Sequence, residues 1–136
     1  NASSIHGFGR HARQAVEQAR EQVAALAGTH ANQVAFTSGA TESNNAVLKH
    51  FAGQRILVSA IEHPSVLESA PDAERIPVTQ AGVVDMAAFE KMLQASAPPA
   101  LVSVMLVNNE TGVIQPVAEL ARLAKKHHPG VFIHTD

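Results

Sequence analysis

Short, continuously apolar runs alternate with helical segments along this chain, and that alternation leaves few folds open. The clearest run is Leu101-Val102-Ser103-Val104-Met105-Leu106-Val107, broken only by Ser103. Continuous rather than alternating hydrophobicity asks for cover on both faces, the habit of a parallel strand between helix layers. Arg55-Ile56-Leu57-Val58-Ser59 and Val131-Phe132-Ile133-His134-Thr135-Asp136 read the same way. Val34–Thr37 predicts a further strand ahead of a tight turn at Gly39, and Pro77 marks Arg75–Val78 as a peripheral one. Between these runs the helical period takes over. Ala12, Val16, Ala19, Val23 and Leu26 space a helix over Arg10–Ala27, with Gly28 as its stop. Val47, Leu48 and Phe51 face inward from a helix over Glu42–His50. Pro64 opens a third helix, Asp85 caps a fourth carrying Met86, Phe89, Met92 and Leu93 inward, and Pro116 opens a fifth. The expected class is α/β, a three-layer sandwich with a mainly parallel sheet.

Composition narrows the function classes. With 136 residues, 46% hydrophobic and 16% charged, the chain suits a soluble globular domain with a real core. A net charge of −2 argues against a nucleic-acid partner, and 4% aromatics without Trp or Tyr leave no base-stacking surface. No apolar run reaches the ~20 residues of a membrane span and no signal peptide opens the chain, so the cytoplasm is the expected compartment. Absence of Cys excludes disulfides and thiolate metal sites. Gly7, Gly9 and Ala12 match G-x-G-x-x-A, but no strand precedes them, so they read as a flexible lead-in to the first helix. The chain opens on Asn1 and stops at Asp136 directly after an apolar run, which predicts a fragment.

Polar residues gather where the strands end. Ser38-Gly39-Ala40-Thr41 opens a helix, whose unpaired N–H groups and dipole form an anion site reinforced by hydroxyls. His63 lies at a strand-to-helix junction, Asn108-Asn109-Glu110 follows the strongest strand, and Asp136 ends the last one. Each has an ordinary explanation taken singly: a capped turn, a structural imidazole, an Asn-rich turn. On one sheet rim, however, they describe a site for a phosphorylated aromatic cofactor. Pyridoxal phosphate fits best, since its ring nitrogen needs a carboxylate partner to act as an electron sink.

Four segments occur in the same order in the cysteine desulfurases of the class V aminotransferase group: Ser38-Gly39-Ala40-Thr41-Glu42-Ser43-Asn44-Asn45, Glu62-His63-Pro64-Ser65-Val66-Leu67, Val107-Asn108-Asn109-Glu110-Thr111-Gly112 and His134-Thr135-Asp136. The chain resembles the first part of the large, cofactor-binding domain of such an enzyme over its whole length, 1–136. The resemblance implies that Ala40 and Thr41 hold the cofactor phosphate. It implies that His63 stacks on the ring and helps to move protons, that Asn109 bonds the phenolic oxygen, and that Asp136 pairs with the ring nitrogen. It further implies an L-cysteine or similar amino-acid substrate, a sulfur-acceptor protein and a homodimeric parent. The family's Ser-x-His-Lys segment, which attaches the cofactor, and its sulfur-carrying Cys have no counterpart here, so the chain alone is expected to be inactive. With the discriminating Cys loop absent, the resemblance also admits a selenocysteine lyase or another class V enzyme, and a non-catalytic remnant that binds a partner or serves as a folding unit is the alternative from another class.

His134 and Asp136, two apart on one strand, share a face, but no third ligand follows at a metal-site spacing. No metal is expected. Added zinc should leave the melting temperature unchanged, and a clear upward shift would overturn that.

Overall fold

The computed structural model describes residues 1–95 and 97–136. They form two compact units, Asn1–Ser38 and Gly39–Asp136.

The first unit is built on one helix, α1 (Gly7–Ala27). It begins three residues before the expected Arg10, so Gly7 and Gly9 are helical rather than a flexible lead-in. His6 explains the early start, because its ring nitrogen accepts the Gly9 N–H at 3.2 Å and caps the first turn. Gly9 is also a close approach: a Cβ there would collide with the Ser4 carbonyl. At the other end Gly28 is left-handed (φ 67°), and the Gly28 and Thr29 N–H groups return to the Ala25 and Ala24 carbonyls. The apolar stripe of this helix stays largely in solvent. Ala24 is buried, but Leu26 is 91% exposed. Beyond a 3₁₀ turn at Ala31–Gln33, the expected strand at Val34–Thr37 does not form. Val34 is extended (φ −101°, ψ 124°), yet no strand pairs with it among the described residues. Without a ladder, the Arg20 guanidinium takes up the Val34 carbonyl and lies 5.0 Å from the Phe36 ring centre.

The second unit is an α/β/α sandwich. Its four strands are β1 (Ile56–Ser59), β2 (Glu74–Ile76), β3 (Leu101–Ser103) and β4 (Phe132–His134). All pairs are parallel, in the order β2-β1-β3-β4, with Leu57 opposite Glu74, Leu57 opposite Val102 and Val102 opposite Ile133. The helices are α2 (Ala40–His50), α3 (Pro64–Leu67), α4 (Met86–Leu93) and α5 (Val117–His127). Alternate strand residues serve opposite faces, as the pleat requires. Leu57, Val102 and Ile76 pack with Phe89 and Leu93 of α4 and Leu120 and Ala124 of α5. Ile56, Val58 and Leu101 pack with Leu48 of α2 and Val66 of α3. Every residue of β1 and β3 is buried, which is why their sequences are continuously apolar. The expected three-layer, parallel class therefore holds, and β2 sits at an edge as Pro77 indicated.

Two runs are shorter as strands than they read. Leu101–Val107 belongs to the parallel sheet only through Ser103: the Val104 N–H still donates to the His134 carbonyl, but the Met105 N–H turns to the Glu62 carboxylate at 2.7 Å, and Val107 forms a separate antiparallel bridge with Ile114. Val131–Asp136 pairs only over Phe132–His134. Asp85 caps α4 as expected, its Oδ1 accepting the Ala87 and Ala88 N–H groups at 3.0 Å each. Among the described residues no helix is long and apolar enough to cross a membrane.

The start of β1 is tied down by one guanidinium. Arg55 Nε and Nη2 donate to the two oxygens of Glu74 at 2.7 and 2.9 Å, and Nη2 and Nη1 also reach the Met92 and Ala97 carbonyls. One planar fork thus joins β1 to β2 and closes the carboxyl end of α4. Its hydrogen bond to Glu74 raises Arg55 above its ordinary pKa, and the same bond lowers Glu74. An ammonium cannot fill this geometry, so R55K should lower stability by about 1–3 kcal/mol, read as a drop in the urea midpoint.

Candidate active site

Parallel strands put all their carboxyl ends on one rim, and three of the four sequence-selected segments follow such ends: His63 after β1, Asn109 after β3, Asp136 after β4. Each is presented by a local device. His63 is the residue before α3, with Pro64 as the first helical position, and its ring nitrogen Nδ1 accepts the Ser65 N–H at 3.1 Å. Asn109 owes its place to its neighbour. Asn108 is buried, and its Oδ1 accepts from the Glu110 N–H, the Thr111 N–H and the Thr111 hydroxyl, all within 3.1 Å. Its Nδ2 donates to the Ile61 carbonyl at 3.0 Å, which ties the loop after β3 to the loop after β1. Asn108 therefore builds the turn, and Asn109 stands exposed on it.

A cleft of about 240 Å³ brings His63 and Asn109 together, lined also by Glu62, Asn108, Glu110 and Thr111. Ala40 and Thr41 do not line it. They form the exposed first turn of α2, preceded by an extended Gly39 (φ 163°). Glycine is not demanded there by backbone strain, and a Cβ would enter open space with nothing within 4 Å. The open approach to these N–H groups suits an anion at the helix start. Asp136, also exposed, is close enough to raise both Glu62 and His134 electrostatically. His134 is partly buried, with Nδ1 2.8 Å from Ser103 Oγ, and burial lowers its pKa below the ordinary value against the pull of Asp136.

Glu62 was not singled out from the sequence, yet it is the most constrained ionisable group on the rim. It is 4% exposed, and its Oε2 has no hydrogen-bond partner among the described residues. Burial pushes its carboxyl above the usual range, opposed by bonds from the Met105 N–H and the Ser59 hydroxyl, with the Asp136 charge adding to the rise. The available signal was a carboxylate directly before His-Pro at the end of an apolar run. Asn44 and Ser65 were also passed over. Asn44 is buried, and it precedes the buried Leu48 by four residues on the same helix face, where a polar side chain calls for a partner.

These features fit the phosphorylated ring that the motifs suggest. The helix start is open to an anion, an exposed imidazole and amide share one cleft, and a carboxylate stands at the end of β4. The orphaned Glu62 oxygen shows that the rim's polar groups are not all satisfied among the described residues.

Glu62 has a definite pH signature. Just above the ordinary carboxylate value of 4.5, the unfolded chain has lost this proton while the folded chain still holds it. Its contribution to stability therefore declines as pH rises through that interval and levels off above the raised folded value. E62Q keeps an oxygen for the Met105 N–H but cannot ionise. As pH rises from about 4, the E62Q urea midpoint should gain on that of the wild type and then level off once the folded carboxyl has ionised; a constant difference would refute the assignment.

The sequence pattern of the family described as aminotransferase class-V matches residues 1–136. The chain is 40% identical to a cysteine desulfurase, IscS, of Dictyoglomus turgidum, covering 100% of this chain and 37% of that protein. It is 38% identical to a human cysteine desulfurase over 98% of this chain and 31% of that protein. The crystal structure of a NifS-like protein from Rickettsia africae superposes with a TM-score of 0.88 at 37% identity, over 100% of this chain and 39% of the other. The chain thus spans about a third of the length of the curated relatives it matches. The chain belongs to the class V aminotransferase family.

Proposed function

We propose that this chain is the amino-terminal part of the large domain of a pyridoxal-phosphate-dependent cysteine desulfurase, which converts L-cysteine to L-alanine and retains the sulfur as a protein persulfide. The observation that carries this reading is the rim itself. His63, Asn109 and Asp136 follow the carboxyl ends of β1, β3 and β4, and an open helix start at Ala40 and Thr41 supplies an anion site in the same unit.

In this reading the chain's residues bind and orient. The Ala40 and Thr41 N–H groups and the Thr41 hydroxyl donate to the phosphate, at the positive end of α2. His63 lies against one face of the ring and donates hydrogen bonds near the reacting carbon. Asn109 donates to the phenolic oxygen. Asp136 accepts from the protonated ring nitrogen and holds that proton in place. When bound, pyridoxal phosphate supplies the electron sink for negative charge that develops at the substrate α-carbon. The same reading extends to a cytoplasmic, homodimeric parent engaged in iron–sulfur cluster assembly that hands sulfur to an acceptor protein.

The test uses the complete protein. It should retain pyridoxal phosphate through gel filtration and release alanine from L-cysteine. D136A should cut turnover at least about tenfold, the worth of a charge-assisted hydrogen bond, while H63A and T41A should weaken cofactor retention. Absence of bound cofactor in the wild type, or a D136A enzyme as fast as the wild type, would sink the proposal.

A further inference from the structure

His63 is held by a chain of hydrogen bonds that crosses from one helix to another. Its Nδ1 lies 3.1 Å from the Ser65 backbone nitrogen and 2.8 Å from Ser65 Oγ. A backbone N–H can only donate, so Nδ1 is an acceptor, and in the neutral ring the proton then resides on Nε2. Ser65 Oγ in turn accepts from Asn44 Nδ2 at 2.9 Å. With that oxygen engaged by Asn44, the single hydroxyl proton is free to point at Nδ1. Both supporting side chains are shielded from water, Asn44 at 2% exposure and Ser65 at 8%. Their hydrogen bonds therefore meet little competition from solvent.

We propose that Asn44 and Ser65 are positioning residues that hold the neutral His63 ring as its Nε2–H tautomer. The consequence is chemical. Nε2 carries the proton and offers no lone pair, while the lone pair of Nδ1 is engaged by two donors. Neutral His63 therefore serves its cleft as a hydrogen-bond donor through Nε2, and it is not a base at that atom. The relay has a mechanical side as well. Asn44 sits four residues after Ala40 on α2, so the helix start proposed to hold the phosphate and the imidazole proposed to face the ring are joined by two hydrogen bonds. Placement of His63 depends on α2 as well as on its own loop. This inference deepens the cofactor reading above and rests on it for its role in catalysis, but the tautomer itself does not.

Long-range nitrogen–proton correlation spectra of the complete, nitrogen-15-labelled protein read the tautomer directly. The wild type should show a protonated Nε2 and a pyridine-like Nδ1 at His63. S65A loses one of the two donors to Nδ1, so its Nδ1–H fraction should rise about fivefold, the worth of one neutral hydrogen bond, and S65T should restore the wild-type pattern. A wild-type ring protonated on Nδ1, or an S65A spectrum unchanged from the wild type, would overturn the relay. The wild-type spectrum decides the tautomer even if a variant does not fold. Stripping pyridoxal phosphate from the same sample and adding it back separates the two claims. If the His63 signals hold still on addition while the tautomer is as stated, the cofactor reading fails and the relay stands.

Discussion

The Met105 N–H donating to Glu62 Oε1 at 2.7 Å is the contact that lets the two central strands end inside the protein. Past Val58 and Ser103 the β1–β3 ladder stops, and Met105 is still buried. A buried N–H without a partner costs about 1–3 kcal/mol, so something other than a strand must meet it. Glu62 does, reaching from the loop after β1. Asn108 makes the return crossing, from the loop after β3 to the Ile61 carbonyl. Two side chains running in opposite directions thus brace two loops that lie beyond the parallel ladder. In each loop the brace is buried, and the residue next to it is exposed to the cleft: His63 beside Glu62, Asn109 beside Asn108. Rigidity and exposure are divided between chain neighbours.

That division explains what could be read from the sequence and what could not. The sheet was legible because burial on both faces leaves an unmistakable apolar run at Ile56–Ser59 and Leu101–Ser103. The helix caps at Asp85 and Pro64 were legible because capping is a local matter of one side chain and the next turn. Strand ends were not. The run to Val107 stays apolar beyond the parallel sheet, since Val104 and Met105 are buried past the last strand residue, Ser103. The misread strand at Val34–Thr37 has strand-like residues and an extended Val34 but no partner, and pairing is a property of the neighbour. At the site, His63, Asn109 and Asp136 could be chosen by position after apolar runs. Asn108 and Asn109 are identical as letters, however, and only the three bonds onto Asn108 Oδ1 distinguish scaffold from exposed amide. Glu62, Asn44 and Ser65 act through partners 43 and 21 residues away, which local pattern does not reveal.

The brace also couples folding to the charge on the rim. A carboxyl that must be buried is easiest to bury with its proton on, and Asp136 reinforces this by making a second negative charge unwelcome. A cation placed against Asp136 acts in the opposite sense, since it cancels the field that Asp136 exerts on Glu62. By linkage the effect is reciprocal: ionising Glu62 strengthens the attraction of the rim for that cation, and binding the cation eases the ionisation. A Gln at this position could accept the same N–H but would take no part in that exchange. A protonatable brace therefore lets the negative charge of the rim respond to what is placed against Asp136.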